Sequence, residues 1–275
     1  MESKLKYSRV LVSGGAGFIG SHLVDALIND GFEVSVLDSL SSGRIVNIEH
    51  HLGSKKLRFV KGDIRDIDAI NEVLEDVEVI YHLAAVTSVP YSVENPEVTY
   101  DVNVIGTTNL LEMCLRSNSM ERFIYVSTCA VYGEPKYLPI DEKHPINPVS
   151  PYAATKLAAE HSCREFQEMN GLKIAILRPF NVYGQRQRSD EFGGVIASFI
   201  ENLRNRKPLV IYGDGSQTRD FIHVEDAVRA FMSVMNRESA IGRAFNIASG
   251  VSASINQLVQ LLIKIFGAKN VRLQY

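Results

Sequence analysis

Tyr152 and Lys156 stand four positions apart in Ser150-Pro151-Tyr152-Ala153-Ala154-Thr155-Lys156. A tyrosine hydroxyl has an ordinary pKa of about 10, so removing a hydroxyl proton near neutrality requires a cation beside it. Lys156 supplies that cation if the segment is a helix, because residues four apart share a face; taken alone, the pair could equally be two surface side chains. A second group with chemical meaning is Ser13-Gly14-Gly15-Ala16-Gly17-Phe18-Ile19-Gly20. Glycines at 14, 17 and 20 leave room for a tight turn, a pyrophosphate and a closely packed helix whose N-terminus attracts phosphate. Asp38 closes the run Val34-Ser35-Val36-Leu37-Asp38. Its carboxylate can accept hydrogen bonds from a ribose 2′-OH and would repel a 2′-phosphate, which favours NAD over NADP, although Arg44 nearby pulls the other way. The plainer reading of these two groups is a glycine-rich turn and a solvated acid.

Such side chains need rigid elements behind them. β-Branched and aliphatic runs recur at Val10–Ser13, Glu33–Asp38, Leu57–Lys61, Val79–Leu83, Arg122–Ser127 and Lys173–Arg178, separated by amphipathic stretches of helical length. That rhythm predicts βαβ units. Phe123-Ile124-Tyr125-Val126 is apolar throughout, as a strand covered on both faces must be. The expected fold class is α/β, a Rossmann-type doubly wound parallel sheet over residues 1–178 with a smaller C-terminal substrate-binding lobe over 179–275. The first domain is also expected to receive a strand and a helix from about 220–248. Within the lobe the pattern predicts a helix at Val195–Asn205, a strand at Leu209–Tyr212 and a helix near Val224–Met235. The strand-like run Val271-Arg272-Leu273-Gln274-Tyr275 has no closing element after it, so the lobe reads as cut short.

A chain of 275 residues, 45% apolar, can bury a large core. A formal charge of −3 creates no global field for nucleic acid or an anionic membrane, so an anionic ligand has to be met locally. Cys114, Cys129 and Cys163 are scattered and form no CxxC, which argues against a disulfide framework or a zinc site and fits a reducing compartment. The apolar run after the polar N-terminus is too short for a signal-peptide core or a membrane span. The expectation is a soluble, cytoplasmic protein with no metal.

Gly14-x-x-Gly17-x-x-Gly20 together with Tyr152-x-x-x-Lys156 resembles the extended short-chain dehydrogenase/reductase family, in its NAD-dependent epimerase/dehydratase group, and within that group the UDP-glucose (UDP-galactose) 4-epimerases. Gly62-Asp63-Ile64 resembles the family's adenine-contacting loop, His82-Leu83-Ala84-Ala85 its strand beside the pyrophosphate, and Asn103 its cofactor-supporting asparagine. The resemblance implies NAD as cofactor, contacted also by Phe18, Ile19, Ser42, Gly43, Ser127, Tyr152 and Lys156. In Ser127-Thr128-Cys129-Ala130-Val131-Tyr132-Gly133 it assigns Thr128 as the hydroxyl that shares the proton with Tyr152, with Ser127 as the fallback; a strand-end Ser-Thr could instead only satisfy backbone groups. Tyr152, Lys156 and Thr128 are thus the expected catalytic set.

Dehydratases and decarboxylases on this scaffold typically carry a carboxylate just after that hydroxyl, where this chain has Cys129 and Ala130. Without a proton-transferring acid there, the expected reaction is oxidation of a nucleotide-linked sugar at C4 and return of the hydride to its other face, a 4-epimerisation. Dehydration, decarboxylation and an idle NAD-bound regulatory protein are the alternatives. The resemblance places a UDP-linked sugar near Thr87, Ser88, Thr128, Tyr152 and Val195, with Asn181 in Arg178-Pro179-Phe180-Asn181-Val182-Tyr183-Gly184 on the diphosphate. Arg219 is the expected diphosphate fork and Tyr212 a flank for the base. Alternatively Arg219 and Asp220 form an internal ion pair and Tyr212 is core. Gln185-Arg186-Gln187-Arg188 reads as a basic loop near the ligand or in solvent. Helices over Val98–Ser117 and Tyr152–Met169 could pair with their copies in a homodimer, or serve the internal sheet.

Overall fold

The computed structural model describes residues 6–190 and 193–275. Its first half alternates strand and helix: β1 (Arg9–Ser13), α1 (Phe18–Asn29), β2 (Glu33–Asp38), β3 (Leu57–Lys61), α2 (Ile67–Val73) and β4 (Val79–His82). There follow α3 (Val89–Glu94), α4 (Pro96–Tyr100), α5 (Gly106–Arg116), β5 (Arg122–Val126), α6 (Pro151–Asn170) and β6 (Ile174–Pro179). The second half holds β7 (Asn181–Tyr183), α7 (Val195–Arg204), β8 (Leu209–Val210), β9 (Thr218–His223), α8 (Val224–Met235), β10 (Ala244–Ile247), β11 (Ser252–Ser254), α9 (Ile255–Phe266) and β12 (Leu273–Gln274).

Seven strands form one parallel sheet in the order β10-β6-β5-β4-β1-β2-β3. Side chains alternate across a strand, so β1 sends Val10 and Val12 to one core and Leu11 to the other. The first core packs Leu23, Val24 and Leu27 of α1 with Val228 and Phe231 of α8; the second packs Ile70, Leu110 and Cys163 from α2, α5 and α6. Both faces are covered, which is why β5 and β6 are buried along their whole length. The strand order reverses between β1 and β4, and a crevice forms there beyond their carboxyl ends.

Three further strands make a smaller sheet, β11-β9-β7, and β8 pairs with β12; α7 and α9 pack here through Phe199, Leu258 and Leu262. The chain does not stay in that layer: α8 returns to pack on α1, and β10 adds to the edge of the large sheet beside β6. The helix expected at Val98–Ser117 is interrupted, because a π-helical turn at Asp101–Ile105 joins α4 to α5. The strand expected to reach Tyr212 stops at Val210, since β12 pairs only with Leu209 and Val210. Helix α6 starts as its sequence dictates, with Ser150 Oγ accepting from Ala153 N–H at 3.2 Å and Pro151 in the first turn.

Candidate active site

The crevice at the reversal is a cleft of about 550 Å³. Its base is the turn between β1 and α1, where Gly14, Gly17, Phe18, Ile19 and Gly20 all line it. Gly14 has φ of +73°, and a Cβ there would lie 2.8 Å from Ala84 N, so only glycine lets this turn approach the strand-end of β4. At Gly20 a Cβ would stand 2.1 Å from the Gly14 carbonyl oxygen, so a side chain would push α1 off the turn. The start of α1 therefore presents its free N–H groups to the cleft.

Asp38, buried at the end of β2, accepts from Ala16 N–H at 2.9 Å and Leu40 N–H at 2.8 Å. Burial raises its carboxyl above the usual range, and the two amides pull it back. Ser42 and Gly43 line the cleft above it, and a Cβ at Gly43 would come within 2.7 Å of Oδ1. The missing side chain thus leaves the carboxylate open to a ligand. Asp63 and Ile64 form the far end, with Asp63 held by the Arg65 guanidinium at 2.8 and 3.0 Å, a bond that keeps its carboxyl low.

Leu83, Ala84, Ala85 and Thr87 line the opposite side. Asn103, on the π-helical turn, does not reach the cleft; its Oδ1 accepts from Val86 N–H at 2.7 Å, and its amide donates to Val86 O and to Thr155 Oγ1. It ties the Leu83–Thr87 loop to the helix of the catalytic pair. Ser88 is also set back, capping α3 through Tyr91 N–H. Behind the loop, His82 lies between Ser13 Oγ at 2.6 Å and Thr107 Oγ1 at 2.9 Å. Burial, with Lys156 adding, lowers this imidazole to about 3, so it is neutral. Thr107 gives its own proton to Asn103 O, so His82 Nε2 donates to Thr107 and Nδ1 accepts from Ser13.

Ser127, Thr128, Tyr152 and Lys156 form one wall. Ser127 Oγ is buried and has no hydrogen-bond partner among the described residues, so a donor and acceptor stand ready for a ligand. Thr128 Oγ1 accepts from Ala130 N–H at 3.2 Å. Burial pushes the Tyr152 hydroxyl up to about 12, against a hydrogen bond with Thr128 that lowers it. Of the protein's own groups, Thr128 rather than Lys156 is the one that lowers it. Lys156 itself sits over the Tyr125 ring, Nζ 4.3 Å from the centroid, and burial lowers its amine from 10.5 to about 7.

Between pH 7 and about 10 the unfolded chain keeps a proton that folded Lys156 gives up, so this residue makes stability rise with pH across that window. Below pH 7 both states are protonated and the penalty of burying the charge is complete. In urea unfolding of nucleotide-free protein, Lys156→Met should be favoured over wild type most at pH 6.5 and progressively less by pH 9. A pH-independent difference would mean Lys156 is not desolvated as described.

Beyond this wall the sequence-derived substrate residues scatter. Asn181 starts β7 and its amide donates to Asp220 O at 2.8 Å; Val195 begins α7. Arg219 is exposed on β9, donates to Thr218 O, and its charge reaches Cys129 next to Thr128. It forms no ion pair with Asp220, whose oxygens accept from Ser249 N–H, Ser249 Oγ–H and Gly250 N–H. Tyr212 is 84% exposed, so it is not core. None of these four lines the cleft. The loop at 185–188 is docked rather than solvated: Gln185 O meets His22 Nε2 at 3.0 Å, Arg186 pairs with Asp25 at 2.8 Å, and Arg188 donates to Ser42 O at 3.1 Å. Gln187 lines the cleft, so the second lobe straps across its mouth.

Three supporting groups were not singled out from the sequence: the Ser13-His82-Thr107 relay, the Tyr125 ring under Lys156, and a buried pair behind the catalytic wall. In that pair Arg178 donates to Glu160 at 2.9 and 2.6 Å and to Tyr132 Oη at 2.8 Å. Each comes from separate elements, so spacing along the chain carries no signal for it; a fully apolar strand ending in arginine, Ile174 to Arg178, was the one available hint.

The NAD dependent epimerase/dehydratase family matches residues 10–248. A putative UDP-glucose 4-epimerase of Methanocaldococcus jannaschii is 44% identical over 255 residues, 92% of this chain and 81% of that protein. UDP-glucuronic acid decarboxylase 1 of Danio rerio is 34% identical over 267 residues, 95% of this chain and 62% of that protein. The crystal structure of UDP-glucuronic acid 4-epimerase from Bacillus cereus, in complex with UDP-glucuronic acid and NAD, matches with a TM-score of 0.90 at 35% identity, over 97% of this chain and 86% of that one. A doubly wound sheet, a glycine turn opening onto a buried acid and a Tyr-Lys wall thus coincide with likeness along nearly the whole chain, and the protein belongs to the NAD-dependent epimerase/dehydratase family of enzymes, the extended short-chain dehydrogenase/reductases.

Proposed function

We propose that this enzyme catalyses the NAD-dependent 4-epimerisation of a nucleotide-diphosphate sugar of the UDP-glucose/UDP-galactose type through a transient 4-keto sugar. The observation that carries this reading is the make-up of the catalytic wall: Ser127, Thr128, Tyr152 and Lys156 share it, and the residues after Thr128 are Cys129 and Ala130. The one carboxylate whose charge reaches Cys129, Asp220, has both oxygens engaged by Ser249 and Gly250. Neither Cys129 nor Ala130 carries a carboxyl group to expel water by proton transfer.

In this reading Asp38 holds the adenosine ribose hydroxyls, Asp63 and Ile64 the adenine, and the turn from Gly14 to Gly20 the pyrophosphate, with Ser42, Gly43 and Leu83–Ala85 closing around it. Ser127 and Lys156 face the nicotinamide end. When bound, NAD supplies the hydride acceptor and donor and a positive charge beside Tyr152. Tyr152 removes the 4-OH proton and later returns it, and Thr128 bonds to the same sugar oxygen and hands the proton on. Arg219, Asn181, Thr87, Ser88, Val195 and Tyr212 are the proposed substrate-side groups, Arg219 through its fork on the diphosphate.

Three unpaired cysteines support a cytoplasmic setting, and among the described residues no helix is long and apolar enough to cross a membrane. A second copy of the chain is the proposed partner: α4 and α5 both pack on α6, and Tyr100 of α4, Ile105 of the π-helical turn and Leu115 of α5 remain exposed. The deciding experiment offers UDP-glucose, UDP-N-acetylglucosamine and UDP-glucuronate separately and follows anomeric NMR signals and product mass. An epimer of unchanged mass is expected from at least one of them. Loss of water or carbon dioxide would instead assign a dehydratase or a decarboxylase, the second being an activity named among the relatives.

A further inference from the structure

On the outer side of α1, away from the catalytic wall, Asp25 meets two histidines from the segment between β2 and β3. His50 Nε2 and His51 Nε2 each stand 2.9 Å from the same oxygen, Asp25 Oδ1. The two rings lie 4.1 Å apart, and the three ligand atoms are all within 4.8 Å of one another. The other oxygen, Oδ2, is held by Arg186 at 2.8 Å, which fixes the plane of the carboxylate. None of these four residues lines the nucleotide cleft.

We propose that Asp25, His50 and His51 form a binding site for one divalent transition-metal ion of the zinc type, with water completing the coordination. Two imidazoles and one carboxylate oxygen suit zinc, cobalt or nickel, whereas calcium and magnesium demand oxygen ligands throughout. Around a tetrahedral ion with bonds of about 2.0–2.1 Å, ligand atoms sit roughly 3.3 Å apart. Each N···O distance here therefore has to open by only about 0.4 Å, which small side-chain rotations supply. Without an ion, both Nε2 atoms must carry hydrogens and crowd a single acceptor; an ion replaces both hydrogen bonds and frees each ring to hold its proton on Nδ1. Asp25 and His51 are half-buried and preset, and His50 is 46% exposed, so water and ions can enter.

An ion here would join two pieces at one point, α1 and the 45–51 segment, with Arg186 on the other oxygen of the same carboxylate.

The test uses tag-free enzyme treated with a chelator and then dialysed, titrated with zinc against a chromophoric competitor and, separately, with cobalt followed by its d–d absorption. One equivalent per chain is expected, weakened at least tenfold by His50→Gln, by His51→Gln and by Asp25→Asn. The two histidine variants leave the Asp25–Arg186 pair intact, and circular dichroism checks their fold. Two results would overturn the site: zinc affinity unchanged in His50→Gln/His51→Gln, or no binding below about 100 μM in the wild type. A thiolate charge-transfer band with cobalt would likewise move the metal to the cysteines and reject it.

Discussion

Tyr152→Phe should lower turnover by about 10²–10⁴-fold while leaving bound nucleotide in place. The substitution removes one oxygen from a side chain on the cleft wall, so the bond from Tyr152 N–H to Ser92 Oγ is preserved and the cleft keeps its glycine turn and Asp38. What disappears is the hydroxyl that the proposed mechanism uses to take and return the sugar proton, while Ser127, Thr128 and Lys156 stay on the wall. Single-turnover reduction of bound NAD by substrate separates the step lost from binding. Retained turnover in the variant would remove Tyr152 from the chemistry altogether. Thr128→Ala should fall between, because Thr128 lowers the Tyr152 pKa and shares the sugar proton, while Tyr152 remains in place.

The largest loss of stability is expected from breaking the pair behind that wall. Glu160 and Arg178 are almost wholly buried, joined by two short bonds, and Arg178 also holds Tyr132, which bonds Asn246 Oδ1 at 2.7 Å. Removing either partner leaves an uncompensated buried charge, a cost of about 3–5 kcal/mol. For a chain of this size that corresponds to a fall in Tm of roughly 6–20 °C. Replacing both by Leu and Met should cost less than either single change, because no charge is then stranded. Thermal unfolding of the two single variants and the double reads this directly; additive losses would show that the residues do not act as a pair. The effect extends to catalysis, since Glu160 lies one turn beyond Lys156 on α6, and Tyr132 ends the short turn that begins after Thr128.

Much of the nucleotide side was legible because each part is local. The turn from Gly14 to Gly20, the acid at the end of β2 and the spacing of Tyr152 and Lys156 are written within single segments, and β2 and β3 begin and end where their apolar runs do. The substrate side was not, because its geometry depends on contacts between distant segments. Asp220 reads as a partner for its neighbour Arg219, yet antiparallel pairing of β9 with β11 turns its carboxylate towards Ser249 and Gly250. Tyr212 reads as a flank for the base or as core, and its exposure removes the second. Gln185 to Arg188 reads as a basic loop near the ligand or in solvent, and the partners from α1 and Ser42 remove the second.

The chain passes between its two layers three times: from β6 through Phe180 into β7, from β9 directly into α8, and from β10 across 248–251 into β11. Stitches this short leave no stem around which the smaller layer could swing freely. The smaller layer is therefore not a module that can be cut away and expressed, and changes made in it are felt by the large sheet through all three crossings.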